Sequence, residues 1–201
     1  AAIVTTISNA VREDILERFH WPPAKVIVIP ASAPGDIPFT RRPFSEGRPT
    51  LLQVGTSPNK NVIRLAEALA GIPCRLEIIG KVSDEQERAL RQCHVEFKEY
   101  FDLSRAEVIE RYRECDIVSF PSTFEGFGIP ILEGNAAGRC VVTGDVTSMP
   151  EVAGDAACLV DPYSVESIRR GFQRVIGDPR YRDELVEKGQ ENIRRFDAAA
   201  I

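Results

Sequence analysis

Residues 120–138 read FPSTFEGFGIPILEGNAAG, an order of residue types that few folds can accommodate. Asp116, Ile117, Val118, Ser119 and Phe120 make a short apolar run ended by Pro121, the pattern of a buried parallel strand. Gly126 and Gly128 flank Phe127 in a loop open to backbone angles that other residues avoid. Pro130 suits the first turn of a helix, where a missing N–H costs nothing, and Gly138 suits its far end. The stretch predicts strand, glycine loop and helix. A helix start directs unpaired backbone N–H groups at whatever lies above it and favours anions there. Glu125 lies in the loop, and Glu133, eight positions on, lies in the first turn or so of the helix. Helix-start donors suit a phosphate or sugar hydroxyls. A carboxylate on either side suits two different polyols, one a sugar and one a ribose.

Strand and helix alternate through the rest of the chain from Thr50. The patterns predict strands over 51–54, 75–79, 95–97, 116–120, 139–143 and 157–160. Helices are expected over 61–70, 84–93, 105–113 (capped by Ser104) and 164–176, with Asp161-Pro162 as a cap before the last. A terminal helix then runs from Asp178-Pro179 to about Phe196. Such alternation with short connections argues for an α/β fold, a doubly wound parallel sheet of Rossmann-like type, with ligands at the carboxyl ends of its strands. Upstream, 3–6 is β-prone, Ser8 or Asn9 can cap a helix through Phe19, and His20-Trp21-Pro22-Pro23 stops it. Residues 25–29 read as a strand and 30–47 as a proline- and glycine-rich linker.

Charge and composition remove several function classes. The net charge is −5 and no basic stripe carries interleaved aromatics, which argues against nucleic-acid binding. His20 and His94 are the only histidines, so a multi-histidine metal site is not on offer. The five cysteines are scattered without a C-x-x-C pair, as expected of small core residues in a reducing, cytoplasmic setting. No segment approaches the roughly eighteen apolar residues of a membrane span. The opening Ala1-Ala2-Ile3 lacks a starting Met and a signal pattern and reads as a cut within a longer protein.

Three loops fall at the carboxyl ends of the predicted strands. Gly55-Thr56-Ser57-Pro58-Asn59-Lys60-Asn61 is neither G-x-G-x-x-G nor a Walker A loop, yet it places a glycine and a lysine at a helix start. Lys60 can meet a diphosphate as a mobile point charge. The other two loops are Gly80-Lys81-Val82-Ser83 and Glu99-Tyr100-Phe101-Asp102.

The run EGFGIPILE resembles the E-x7-E motif of the retaining glycosyltransferases of family 4, group 1 glycosyl transferases with the two-domain GT-B fold. The preceding serine, the aromatic–glycine pair and the small-residue helix agree with it. The resemblance implies that the chain is the C-terminal, donor-binding half of such an enzyme. Residues 1–24 would then be the end of the N-terminal domain and the crossing segment, and 25–201 the nucleotide-sugar-binding domain. It implies transfer from a nucleotide-diphosphate-sugar with retention, without a metal or other cofactor, in polysaccharide biosynthesis or a related process. Glu125 and Lys60 would be catalytic. Gly55, Lys60, Val82, Tyr100, Glu125, Gly126, Phe127, Gly128, Ile129 and Glu133 would bind the donor, with Val82 and Tyr100 near the base. The acceptor would be bound mainly by the N-terminal domain, and any membrane-surface association would run through that half.

Two departures from the family pattern stand out. Thr56 occupies a place where members commonly carry arginine, leaving Arg64 one turn along as the other cation. Ala31 to Asp36 replaces an Asn-Gly-Val-Asp-like turn. The missing arginine keeps open a rival, a nucleotide-binding module of the same fold without catalysis. A dinucleotide-dependent oxidoreductase would need the G-x-G-x-x-G that GTSPNKN lacks. A hydrolase pair of carboxylates fits less well than a phosphorylated donor, because both glutamates border an anion-ready helix start.

Overall fold

The computed structural model describes residues 2–198; residues 1 and 199–201, the outer ends of the two segments drawn above, lie outside the described residues. Near the start, β1 (Val4–Thr6), α1 (Asn9–Phe19) and β2 (Val26–Val28) form a small unit in which β1 and β2 pair in parallel. Ser8 caps α1 by accepting from the Val11 N–H, and His20 ends it in the left-handed region at φ 50°. The strand over 25–29 thus exists but joins β1 in a separate sheet, and the main sheet begins only at Thr50.

The main sheet comprises β3 (Thr50–Val54), β4 (Arg75–Ile79), β5 (Phe97–Tyr100), β6 (Ile117–Phe120), β7 (Cys140–Gly144) and β8 (Cys158–Val160). All neighbours are parallel, in the order β5-β4-β3-β6-β7-β8. The chain winds outward from β3, returns to lay β6 along its other side, and winds outward again. This is the doubly wound arrangement, with its switch point at the β3–β6 seam. Every residue of β6 and β7 is buried, which is why both read as unbroken apolar runs rather than alternating ones.

Helices cover both faces. One core gathers Leu51, Leu76, Ile117 and Val142 against α2 (Val62–Leu69), α3 (Asp84–Gln92) and α7 (Val165–Gly177). The other gathers Leu52, Val118, Phe120 and Val141 against α4 (Arg105–Glu114), α5 (Ile129–Ala137) and α6 (Met149–Ala153). The last helix, α8 (Pro179–Arg194), serves both, with Leu185 in the first core and Ile193 and the following Phe196 in the second.

Two local expectations need correction. The strand expected over 95–97 runs instead from Phe97 to Tyr100. The N–H groups of His94 and Val95 are spent on Arg91 and Leu90 carbonyls at the end of α3, so pairing with β4 starts only at Leu76↔Phe97. The α7 cap is Ser164, which accepts from Ser167 N–H, whereas Asp161 turns its carboxylate to the Tyr163 N–H.

Candidate functional site

Lys60 and Glu125 come from opposite sides of the seam, the loop after β3 and the loop after β6. Lys60 Nζ lies 2.7 Å from Glu125 Oε1, with the side chains 17% and 14% exposed. The ammonium also stands 4.5 Å from the centre of the Phe120 ring. Gly55 makes this possible. It has φ 87°, and a Cβ there would sit 3.0 Å from Lys60 Cε, so a larger residue would push the lysine off its course. The loop is held from beneath by buried Gln53, whose amide donates to the carbonyls of Gly55 and Lys60 and accepts from Ser119 of β6. Asn59 reaches across, its amide donating to Phe124 O at 2.9 Å and Glu125 Oε1 at 3.2 Å. Asn61, at φ 63°, links the Pro121 and Pro162 carbonyls.

Past Glu125 the chain turns into α5 through Gly128 at φ 120°. No side chain caps the start of α5; Pro130 has no N–H and the Ile131 N–H donates to the Gly128 carbonyl, so what the first turn offers a ligand is the Ile129 N–H. Ser148 Oγ lies 2.8 Å from both the Glu125 and Phe127 carbonyls, and Thr147 Oγ1 accepts from Glu125 N–H, which fixes the loop from the α6 side. Gly126 meets the N-terminal unit, where Ser8 Oγ donates to its carbonyl. Glu151 of α6 binds the N–H groups of Asn9 and Ala10 at the start of α1.

Glu133 sits one turn into α5 and is 7% exposed. Its Oε2 accepts from the hydroxyl of buried Tyr112 at 2.6 Å, and its Oε1 accepts from Arg105 Nη1 at 2.5 Å. Arg105 also grips Asp36 of the 30–47 segment through two N–H groups, at 2.8 and 2.9 Å. Burial, and then the adjacent Glu133 charge, push the Tyr112 phenol well above its usual range. The hydrogen bond from Arg105 lowers the Asp36 carboxyl.

The remaining sequence-derived candidates divide. Ile129 opens α5 and is partly exposed, while Phe127 is buried edge-on against Phe196, leaving only its backbone to the loop. Val82 donates its N–H to Glu99 and packs partly into the first core. Tyr100 is turned onto the α4 side of the sheet, its hydroxyl bonded to Glu77 and Arg111. Thr56 donates to the Lys81 carbonyl and joins the loops after β3 and β4. Arg64 donates to Asn61 Oδ1 and lies over the Tyr163 ring, on the α2 side of the loop. Among the described residues no group of three or more His, Cys, Asp or Glu side chains is placed to hold a metal ion. A cavity of about 600 Å³ lies at the other end of the strands, against Gly138, Arg139 and Cys140, away from this arrangement.

Residues 38–192 match the family described as "Glycosyl transferases group 1". The chain belongs to that family. Among curated relatives, the O-antigen chain mannosyltransferase B of Escherichia coli is 26% identical over 98% of this chain and 57% of its own length. The chain thus spans little more than half of that relative. A glycosyltransferase structure from Rickettsia africae superposes with a TM-score of 0.85 at 18% identity, over 99% of this chain and 60% of that one. HepE from Anabaena, solved in complex with UDP and glucose, superposes at 0.78 with 18% identity, over 99% and 60%. These likenesses establish the Rossmann-like fold shared with GT-B glycosyltransferases.

Within this group 1 domain, several supporting residues went unseen in the sequence. Gln53 and Ser119 carried a readable signal, each a polar residue inside a run that is otherwise buried and apolar. Arg105, Tyr112 and Asp36 carried none. Arg105 looks like any first-turn residue of a capped helix, and Asp36 lies 69 positions away from it.

Proposed function

We propose that the chain is the donor-binding part of a glycosyltransferase that moves a sugar from a nucleotide-diphosphate-sugar to an acceptor, with retention at the anomeric carbon. The observation that carries this reading is the pairing of Lys60 with Glu125 across the seam, directly before the uncapped start of α5. A leaving diphosphate needs positive potential placed where negative charge develops. Lys60 supplies a full charge, and the N–H groups from Gly126 to Ile129 supply the helix-start contribution. Glu125 takes hydroxyls of the donor sugar and stabilises positive charge near the anomeric carbon, while Glu133 takes the ribose hydroxyls. The loops carrying Val82 and Tyr100 flank the base, Tyr100 through its backbone. The UDP and glucose in the HepE complex support a donor of this class, and the E. coli relative's name supports a hexose. Transfer needs no bound metal in this reading. The acceptor is held by the portion of the full-length protein outside this chain, whose setting is the cytoplasm, including the inner face of a membrane.

Calorimetric titration with UDP, GDP, ADP and their sugar conjugates tests the proposal. One nucleotide is expected to bind selectively. Lys60→Ala and Glu133→Ala should each weaken it by about ten- to a hundredfold, the loss of a hydrogen bond to a charged group. Binding indifferent to both substitutions would overturn the site. Thr56 favours a second reading, because its hydroxyl is spent on Lys81 and adds no cation to the mouth. In that reading the full-length protein binds the nucleotide and transfers no sugar.

A further inference from the structure

Glu133 has two partners of different character. Tyr112 is fully buried, and its hydroxyl donates to Oε2 at 2.6 Å. Breaking that bond would strand a phenol in the core, at the full desolvation cost of a buried donor. Arg105 approaches Oε1 with one N–H, and its side chain is 44% exposed. Its other contacts form a fork on Asp36, itself half exposed. Arg105 can therefore leave Glu133 and keep a bidentate carboxylate partner, the stronger of its two attachments. A carboxylate offers about four lone-pair positions, and Oε1 is the oxygen covered by a partly exposed side chain, Oε2 the one covered by a fully buried one.

We propose that Tyr112 and Arg105 are positioning residues for Glu133, Tyr112 fixed and Arg105 exchangeable. The cis-diol of a ribonucleoside diphosphate enters by displacing Arg105 from Oε1, and Asp36 retains the displaced guanidinium. Tyr112 keeps the carboxylate in its rotamer throughout, so that Oε1 faces the incoming diol. Asp36 acts from the 30–47 segment, the stretch that joins the N-terminal unit to the main sheet. This inference rests on the reading of Glu133 as the ribose ligand.

The test compares UDP, GDP and ADP with their 2′-deoxy counterparts by titration calorimetry on the full-length protein. The ribo-over-deoxy preference isolates the diol contact from the pull of arginine on the diphosphate, which both ligands share. Tyr112→Phe should lower that preference about tenfold, as loss of a charge-accepting hydrogen bond would. Asp36→Asn should lower it about threefold, because Arg105 then settles on Glu133 alone. Arg105→Ala should leave the preference intact or raise it, and Asp36→Asn combined with Arg105→Ala should behave as Arg105→Ala does. A purely structural role for the Asp36–Arg105 pair predicts a loss for both. The proposal is overturned if Arg105→Ala erases the preference, if Tyr112→Phe preserves it, or if the wild-type protein binds a nucleotide without preferring ribose. No binding of any of these nucleotides by the wild-type protein would be a different failure, removing the donor-site reading and this inference with it.

Discussion

At Gln53 the interior of the sheet carries an amide whose two ends serve different strands. Its nitrogen holds the loop that presents Lys60, and its oxygen takes the Ser119 hydroxyl from β6. Gln53→Met keeps the volume and orphans three polar groups. Stability should fall by about 1–3 kcal/mol, read by urea unfolding, and nucleotide affinity should fall with it; an equally stable variant would show that the amide is not what holds the loop. Burial also acts on the thiols. Cys115 and Cys140 are pushed by desolvation from 9.0 to about 12. The folded chain therefore holds their protons more tightly than the unfolded one. Their contribution is fully present below pH 9 and is lost between pH 9 and about 12, at about 1.4 kcal/mol per pH unit for each thiol. Unfolding measured from pH 8 to 10.5 should show this fall, and a Cys115→Ala/Cys140→Ala protein should show a correspondingly shallower one. At this scale the sequence exposed residue types and hid partners. Glu125 and Glu133 stood out by spacing and Lys60 by its place at a helix start, but nothing local indicated that Glu133 would meet Tyr112 and Arg105.

The elements were more legible, because each depends on signals within a few residues. Ser83 and Ser104 form capping boxes with Gln86 and Glu107, and Gly138 ends α5 at φ 75°. The strand placed too early at 95–97 failed for a tertiary reason. Val95 is apolar and buried like a strand residue, but its N–H belongs to the end of α3. In α5 the helix-propensity rule points the wrong way. Alanine usually improves on a mid-helix glycine by roughly 1 kcal/mol. A Cβ at Gly134, however, would lie 2.8 Å from a Val141 methyl and 3.0 Å from a Val118 methyl. Gly134→Ala should therefore destabilise the protein, by about 1–3 kcal/mol, and lift the helix start away from Lys60. A thermal melt paired with a nucleotide titration checks both effects. A rise in melting temperature would mean that the helix has room the packing denies.

For the molecule as a whole, alternation of strand and helix was enough to foresee a doubly wound parallel sheet, since few other architectures bury such strands. The separate pairing of β1 with β2 was not, because three-residue strands carry too little pattern to name a partner. The seam between β3 and β6 has one more consequence, in the order of events during folding. The groups that meet there, such as Gln53 and Ser119, are 66 positions apart. The β3-α2-β4 unit and the β6-α5-β7 unit each form from nearer contacts. Closing the long loop between them must come late, because its entropic cost precedes its reward. Lys60 and Glu125 stand on opposite banks of that seam, so the arrangement proposed to bind the donor exists only in chains that have finished folding. A ligand spanning both banks would then act as a fastener, drawing the population toward the completed state by mass action.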